Sequence, residues 1–85
     1  MQQFSIKDLE SFTGIKAHTI RIWEQRYNLL SPQRTSTNIR FYTDHDLRHL
    51  LNVGVLIDHG YKISRIAEMS EEEINNVIAK LRTED

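Results

Sequence analysis

The first third of the chain contains two short segments in which apolar residues recur every three or four positions, with one glycine between them. This spacing places the apolar residues of each segment on one face of a helix, towards a core. Gly14 suits the end of the first helix because glycine readily takes the left-handed conformation found there. Two short helices joined by a brief turn that contains a glycine are the pattern of a helix-turn-helix. The apolar positions are Ile6, Leu9 and Phe12 in the first segment and Ile20, Trp23 and Tyr27 in the second.

The residues that precede these two helices differ in their ability to cap the helix N-terminus. Ser5, followed three residues later by Asp8, is close to a capping box, so the first helix is predicted over residues 6–12. Lys16 precedes the second helix, predicted over residues 17–27, and lysine lacks the oxygen with which Ser or Asp caps a helix. The unpaired N–H groups of that helix would then bind water or an anion, and a phosphate beside the Lys16 ammonium would satisfy both groups. The alternative is a solvated lysine near a frayed helix end.

A second face of the helix at residues 17–27 carries mostly polar side chains at the same helical spacing. Arg21 and Gln25 are able to bond base edges or phosphates, and His18 is able to donate a hydrogen bond. Ile22 on the same face suits contact with a thymine methyl group. We therefore interpret this face as a candidate surface for reading DNA, with His18 and Gln25 as the candidates for base contacts.

The chain after this helix has the composition of a small β-hairpin. Arg34-Thr35 precede the turn-like residues 36–38, and β-branched and aromatic residues follow over residues 39–42. We predict two strands of three residues with an arginine, Arg34 or Arg40, on each arm. A hairpin this small is not stable alone, so it has to pack on the helices. The expected fold is a winged helix-turn-helix, mostly α, with four to five helices and a two-stranded wing.

In this combination the residues resemble the DNA-binding domain of the MerR family of bacterial transcription regulators. The similarity extends from Phe4 to about Met69. The Trp-Glu-x-Arg-Tyr form of residues 23–27 is similar to the branch whose longer members carry a cobalamin-binding sensor. The residues that carry the resemblance are Thr19-Ile20-Arg21, Trp23-Glu24-Gln25-Arg26-Tyr27, Leu29-Leu30, Pro32, Arg34-Thr35, Arg40 and Tyr42.

The resemblance implies how the domain meets duplex DNA. The helix at residues 17–27 would enter the major groove, while the wing at residues 34–42 would touch the adjacent backbone or minor groove. Arg21 matches the family arginine that contacts the DNA backbone, and Arg34 and Arg40 match wing positions. The family also implies two copies on an inverted repeat of a promoter, and self-association of the full-length protein. The candidate DNA-binding residues are Lys16, His18, Thr19, Arg21, Ile22, Gln25, Arg34, Thr35, Arg40 and Tyr42.

Some of these side chains also have structural roles open to them. A wing arginine would form a salt bridge with Glu24, whose charge needs an arginine beside it if it lies close to phosphates. Trp23 and Tyr27 are able to stack on bases, but their helical spacing with Ile20 favours a place in the core. The Tyr42 hydroxyl is able to bind a phosphate while the ring packs on the domain beneath it. Whether Tyr42 contacts DNA or serves the core stays open.

The charges are segregated along the chain. Residues 1–42 contain six Lys and Arg and three acids, a net charge of +3, whereas residues 43–85 contain five Lys and Arg and nine acids, a net charge of −4. The overall net charge of −1 is therefore compatible with DNA binding, because the positive charge lies with the predicted reading surface.

Length and composition exclude several classes of protein. Eighty-five residues correspond to one small domain, and the lack of cysteine excludes disulfides and thiolate metal ligands. No signal peptide or membrane-length apolar run is visible, so we expect a soluble cytoplasmic protein without a membrane partner. His45 and His49 have the spacing of a zinc-binding helix motif, but nothing supplies a third ligand or a cleft, and we interpret them as solvated. We expect no enzymatic activity, and no cofactor or metal in this segment.

The second half of the chain is predicted to be a helical scaffold. Thr43 caps a long helix, a short helix covers residues 63–69, and Ser70 caps a last helix. We expect residues 1–82 to form one domain, either a fragment or a stand-alone head, with residues 83–85 as a tail. The last helix carries an apolar stripe, which either folds back on the domain or is half of an interface. The stripe consists of Ile74, Val77, Ile78 and Leu81.

The leading interpretation is sequence-specific binding of double-stranded DNA. The competing ones are a protein-interaction module on the same scaffold and an excisionase-like recombination accessory factor. An interaction module should expose an apolar patch, foremost on the last helix, and should lack clustered arginines between the second helix and the wing.

Overall fold

The computed structural model describes residues 3–37 and 39–83, and over these ranges it contains five helices and one antiparallel two-stranded sheet. The predicted mostly α fold with a small β wing is therefore confirmed. None of the helices in the described ranges is long and apolar enough to cross a membrane. The elements are α1 (Ile6–Thr13), α2 (Ala17–Tyr27), β1 (Gln33–Arg34), β2 (Arg40–Phe41), α3 (Asp44–Asp58), α4 (Ile63–Glu68) and α5 (Glu71–Thr83).

The turn between α1 and α2 is built from local contacts. The Ser5 hydroxyl accepts a hydrogen bond from the Asp8 N–H (3.1 Å) and the Asp8 carboxylate accepts one from the Ser5 N–H (2.9 Å), so the predicted capping box is confirmed. Gly14 has a φ of 77°, and its N–H donates to the Glu10 carbonyl at 2.8 Å. Thr13 ends α1, one residue later than predicted. The left-handed glycine lets the chain turn sharply, so that α2 packs back on α1.

The first hydrophobic core lies between α1, α2, the wing and the start of α3. Leu9 and Ile20 are fully buried there as predicted, but Phe12 is 59% exposed, so its predicted place in the core was wrong. Residues 6 and 12 differ by about 120° around a helix with 3.6 residues per turn, and Leu9 occupies the centre of the buried face. The Phe12 ring instead meets the Phe4 ring edge to face, with the centroids 5.9 Å apart. The buried residues of this core are Leu9, Ile20, Leu30, Tyr42 and Leu50.

The second core lies between α3, α4 and α5. Ile74 and Ile78 of α5 are 1% and 7% exposed, so the apolar stripe of the last helix folds back on the domain. Trp23 and Leu29 pack against both cores and join them. The structural interpretation of Trp23 is thus confirmed, while Tyr27 is half-buried. The buried residues of the second core are Val53, Leu56, Ile66, Ile74 and Ile78.

The two strands of the wing contain two residues each, one fewer than predicted. The Thr35 side chain explains the difference, because its hydroxyl accepts a hydrogen bond from the Ile39 N–H (3.1 Å) and contacts the Thr37 hydroxyl (2.9 Å). Side-chain bonds of this kind compete with the regular pairing of strands. Residue 38, which we assigned to the turn, lies outside the described residues.

A backbone bridge ties the base of the wing to the start of the chain. The Phe4 N–H donates to the Tyr42 carbonyl (2.8 Å), and the Tyr42 N–H donates to the Phe4 carbonyl (2.7 Å). The small hairpin is therefore held from both sides, by this bridge and by the buried Tyr42 ring. The bridge fixes the wing relative to α1 and α2.

Candidate nucleic-acid interface

The outward face of α2 presents the side chains that the sequence marked for DNA. His18, Arg21 and Gln25 are exposed, and Thr19 and Ile22 are half-buried beside them. They occupy the side of the helix away from Ile20, which is fully buried in the first core. Because the opposite side of α2 is fixed by the core, these side chains project from a rigid element rather than from a loop.

The start of α2 has no side-chain cap. Lys16 occupies the N-cap position and makes no capping hydrogen bond through its side chain, as predicted. The free N–H groups at the first turn of a helix carry partial positive charge and bind anions. The exposed Lys16 ammonium adds a full charge at the same end. This end of α2 is therefore suited to a phosphate.

Two arginines face each other across the wing. Arg34 and Arg40 are directly opposite in the register of β1 and β2. Side chains at opposite positions of an antiparallel pair extend from the same face of the sheet, and like charges placed so destabilise it. Both side chains are exposed. Two like charges at opposite positions make this face of the wing suited to a polyanion.

A polar contact inside the domain connects the wing to α2. The Tyr42 hydroxyl donates a hydrogen bond to Glu24 Oε1 at 2.6 Å. The other carboxylate oxygen of Glu24 lies 3.9 Å from Arg40 Nη1, and the Arg40 side chain is 44% exposed while that of Glu24 is 9% exposed. The predicted pairing of Glu24 with a wing arginine is thus observed. Glu24 holds Arg40 from below and leaves much of the guanidinium group open to solvent.

The charge of Arg21 also acts on the Tyr42 hydroxyl. Burial, then the hydrogen bond to Glu24 and the charge of Glu24, raise the pKa of Tyr42 above its usual range. The charges of Arg40 and Arg21 act in the opposite direction on the same hydroxyl. Arg21 and Arg40 therefore both act electrostatically on one group, and Arg34 lies opposite Arg40 in the register of the wing. We call these three exposed arginines, which lie on α2 and the wing, the arginine cluster.

Tyr42 itself does not belong to the surface. The residue is 1% exposed, and its hydroxyl is bonded to Glu24. The phosphate contact that we considered for Tyr42 is therefore replaced by a structural role beneath the arginine cluster. Thr35 likewise uses its hydroxyl within the turn of the wing. The backbone pairing of Phe4 with Tyr42 was also missed, because the two residue types do not indicate that their backbones pair.

We expected both histidines of the zinc-like spacing to be solvated, but only His45 is exposed, while His49 is half-buried. His45 contacts the carboxylate of Glu71 through Nε2, which links the start of α3 to the start of α5. His49 lies beside them, and burial lowers its pKa. Among the described residues no group of three His, Cys, Asp or Glu side chains has the arrangement of a metal site. This corner of the domain joins helices and lies outside the arginine cluster.

Comparisons with known proteins agree with this geometry. The chain is 32% identical over 78 residues to the HTH-type transcriptional repressor CarH of Myxococcus xanthus, which covers 92% of this chain and 26% of CarH. It is 30% identical over 73 residues to the HTH-type transcriptional regulator MlrA of Escherichia coli, covering 86% of this chain and 30% of MlrA. For the HTH-type transcriptional regulator GlnR of Bacillus anthracis the identity is 32% over 85 residues, covering 96% of this chain and 65% of GlnR. The chain thus spans between about a quarter and two thirds of the length of these relatives.

A solved structure gives the same fold, and a family model gives the assignment. The crystal structure of HiNmlR, described as a MerR family regulator lacking the sensor domain and bound to promoter DNA, superimposes with a TM-score of 0.61. The alignment covers 99% of this chain and 58% of that one at 23% sequence identity, which supports the fold. The model of the MerR HTH family of regulatory proteins matches residues 4–73, most of the chain. The chain therefore belongs to the MerR family of helix-turn-helix regulatory proteins.

Proposed function

We propose that this domain binds double-stranded DNA sequence-specifically as the reading head of a transcription regulator. The observation that carries the proposal is the arginine cluster, in which exposed Arg21 of α2 and exposed Arg34 and Arg40 of the two wing strands lie in the half of the chain whose net charge is +3, although the net charge of the whole chain is −1. In the proposed complex α2, residues 17–27, enters the major groove. The wing, residues 34–42, contacts the adjacent backbone or minor groove.

The roles within this complex follow from position and chemistry. The arginine cluster and Lys16 neutralise phosphates, and these contacts set affinity and orientation without reading sequence. His18 and Gln25 project from the outward face of α2 and bond to base edges, while Ile22 contacts an apolar base group. Glu24 and Tyr42 act from below by fixing Arg40.

The relatives support the wider part of the proposal. CarH is named as a repressor, MlrA and GlnR as regulators, and the similar crystal structure holds promoter DNA. We extend this to a promoter with an inverted repeat, to self-association of the protein in which the domain works, and to a cytoplasmic location. Residues 1–82 form the DNA-reading unit in this proposal, and α5 continues one residue into the predicted tail, to Thr83.

The charge map favours DNA over the competing functions. The apolar stripe that an interaction module would expose on the last helix is buried, since Ile74 and Ile78 belong to the second core. The arginines that such a module would lack are clustered between α2 and the wing. An excisionase-like accessory factor would also bind DNA, and it is separated from a regulator by the site that it occupies rather than by this surface.

The first experiment measures affinity for duplex DNA at several salt concentrations. A labelled random duplex and a duplex selected from a random pool are titrated with the 85-residue chain, and fluorescence anisotropy is recorded. We expect binding to both, tighter for the selected duplex, with the logarithm of the affinity falling linearly as the logarithm of the salt concentration rises. A chain that binds neither duplex at low salt would overturn the proposal.

The second experiment separates contacts to bases from contacts to phosphates. His18→Ala and Gln25→Ala are selected against the same random pool as the wild type. We expect each variant to change the preferred sequence, with a loss of about 1–3 kcal/mol on the original site for each base contact removed. An unchanged preference in both variants would contradict the placement of this face of α2 in the major groove.

A further inference from the structure

The turn of the wing carries three neighbouring hydroxyl groups, and their surroundings differ. The hydroxyls of Thr35 and Thr37 lie 2.9 Å apart, and the Thr35 hydroxyl also accepts a hydrogen bond from the Ile39 N–H at 3.1 Å. These two hydroxyls therefore hold the turn together. Ser36 is exposed, and within residues 3–37 and 39–83 its hydroxyl has no hydrogen-bond partner. Of the three hydroxyls, that of Ser36 is thus the one open to a reaction from solvent.

Two arginines lie within reach of Ser36. Arg34 precedes it by two residues, which span at most about 7 Å along the chain. Arg40 lies directly opposite Arg34 in the register of the wing, at a Cα separation of about 4.5–5.5 Å for such a pair. Both arginines are exposed, and their side chains extend from the same face of the hairpin. A phosphate on Ser36 would therefore meet two guanidinium groups, which form paired hydrogen bonds with phosphate oxygens.

The residues around Ser36 also suit recognition by a protein kinase. A kinase has to bring the acceptor hydroxyl to its catalytic carboxylate and to the γ-phosphate, so the hydroxyl has to be accessible. Kinases select their substrates partly by charge, and an acidic substrate groove favours a basic residue near the acceptor. Arg34, two residues before Ser36, is exposed and supplies that charge.

We propose that Ser36 is a phosphorylation site for a serine/threonine kinase with an acidic substrate groove, and that the phosphate prevents the wing from binding DNA. Ser36 Oγ attacks the γ-phosphorus of a nucleoside triphosphate. The new Oγ–P bond forms as the bond from that phosphorus to the β-phosphate oxygen breaks, and the nucleoside diphosphate leaves. The hydroxyl proton passes to the catalytic carboxylate of the kinase. The resulting phosphoserine carries a charge of about −1.5 to −2 at pH 7.

The phosphate would act by occupying the cations that DNA requires. Arg34 and Arg40 would pair with the phosphate of their own chain, so that neither neutralises a phosphate of the duplex. The negative charge left on the wing would also repel the DNA backbone. The effect on DNA binding rests on the proposed function, whereas the modification of Ser36 and the capture of its phosphate by the two arginines do not.

The first test is phosphorylation of the folded 85-residue chain. The chain is incubated with γ-labelled ATP and a serine/threonine kinase that selects arginine on the N-terminal side of its acceptor. We expect one phosphate per chain, located at Ser36 by mass spectrometry of peptides. Ser36→Ala and Arg34→Ala should each lose the label, whereas Arg82→Ala, which removes the same charge from α5, should keep it. A chain without label, or one labelled at Thr35 or Thr37 instead, would overturn the assignment of Ser36.

The second test measures the capture of the phosphate without DNA. The chain is prepared by chemical synthesis with Ser36 phosphorylated, and in a second preparation with Ser11 phosphorylated, which is exposed on α1. Phosphorus NMR across a pH titration gives the second pKa of each phosphate. We expect a lower value at Ser36, because nearby guanidinium charges favour the dianion, and Arg40→Ala should raise it. Equal values at the two positions would show that the arginines do not hold the phosphate.

The third test is DNA affinity of the same preparations, measured by fluorescence anisotropy. Phosphorylation of Ser36 should weaken binding by about 100-fold and lower the salt slope by about two, the value for two lost phosphate contacts. Phosphorylation of Ser11 adds the same charge but leaves both arginines to the DNA, so it should weaken binding much less. Equal losses would mean that net charge alone acts. If the unmodified chain bound no DNA, the proposed function would fail, while the labelling and the phosphorus NMR would still decide whether Ser36 is modified and captured.

Discussion

The two hydrophobic cores differ in what lies inside them. The first contains Tyr42, whose hydroxyl donates to Glu24, and Glu24 in turn lies 3.9 Å from Arg40. The buried residues of the second are all aliphatic. The two parts of the chain also differ in charge, because the net charge is +3 over residues 1–42 and −4 over residues 43–85.

This difference separates two physical tasks. Apolar burial is strong but non-directional, so it stabilises the scaffold without fixing the position of any charge. A buried hydrogen bond to a carboxylate requires defined geometry, because an unpaired buried charge is costly. The half of the domain that carries the arginine cluster has a polar contact beneath it, and the half that lacks the cluster has none in its buried core. We infer that the polar contact positions Arg40, and that the aliphatic core serves stability alone.

The largest expected effect is on the scaffold. Leu56 is fully buried in the second core, so Leu56→Ala should lower the free energy of unfolding by about 2–5 kcal/mol, through lost burial and the cavity left behind. Leu51→Ala on the same helix is the control, because Leu51 is 42% exposed and should lose less than about 1 kcal/mol. Urea unfolding at low protein concentration measures both. Equal losses would show that the second core does not stabilise the domain as described.

The next largest effect concerns the polar contact. Tyr42→Phe keeps the ring in the first core but leaves the Glu24 carboxylate without its hydroxyl partner. We expect a loss of about 1–3 kcal/mol in the free energy of unfolding. We also expect weaker DNA binding, because Glu24 then attracts Arg40 without competition. Tyr61→Phe, in the scaffold half, should change stability by less than about 0.5 kcal/mol.

Two measurements on the Tyr42→Phe protein decide the role of the hydroxyl. If DNA affinity falls at a temperature where the variant is fully folded, the contact positions the arginine. If affinity is unchanged and only stability falls, Tyr42 serves the core alone, and the contrast between the two cores is weaker than we infer.

Loss of single arginines should act on binding and leave folding intact. Arg21→Ala and Arg40→Ala should each weaken binding to all DNA sequences by about tenfold and lower the salt slope by about one, the value for one phosphate contact. Stability should change little for Arg21→Ala, since its side chain is exposed. Arg40→Ala should cost somewhat more, because the Glu24 side chain is only 9% exposed and loses its cationic neighbour. Arg82→Ala removes the same charge from α5 and should leave affinity and slope unchanged. A loss in Arg82→Ala equal to the other two would mean that net charge alone matters.

Sequence reasoning succeeded where structure depends on neighbours in the chain. The capping box at Ser5, the cap at Thr43, the left-handed Gly14 and the span of α2 all follow from residues within a few positions of each other. The candidate face of α2 was found for the same reason, because helical spacing defines it.

Contacts between residues far apart in the chain could not be predicted from the sequence. Tyr42 and Glu24 are 18 positions apart, and nothing in either residue type says that the hydroxyl turns inward. The bridge between Phe4 and Tyr42 joins residues still farther apart. The exposure of Phe12 was also missed, because helical spacing gives the side of the helix on which a residue lies but not how much of that side the core covers.

Alkaline pH should lower the free energy of unfolding through Tyr42, in the half of the domain that carries the arginine cluster. The pKa of Tyr42 is raised in the folded protein above its ordinary value of 10.0, by burial first and then by Glu24. The folded state therefore holds this proton more tightly than the unfolded state, so the contribution is complete below pH 10.0 and is lost as the pH rises above it. Urea midpoints measured across this range should fall more steeply for the wild type than for Tyr42→Phe. Parallel curves for the two proteins would contradict the assignment.

Acidic pH should lower the free energy of unfolding through His49, in the half of the domain that lacks the arginine cluster. This is the smallest effect that we predict. The pKa of His49 is lowered below its ordinary value of 6.5, mainly by burial and also by His45, while Glu71 and Asp46 oppose the shift. The folded state therefore disfavours the proton, so stability is complete above pH 6.5 and is lost as the pH falls through the lowered pKa. Urea midpoints at about pH 7.5 and about pH 5.5 span the range in which histidines titrate, and His49→Gln should reduce the difference between them. His59 is exposed and supplies the matched control, since His59→Gln should leave the difference between the two urea midpoints unchanged. If His59→Gln reduced that difference and His49→Gln did not, the loss of stability in acid would not arise at the corner where α3 meets α5.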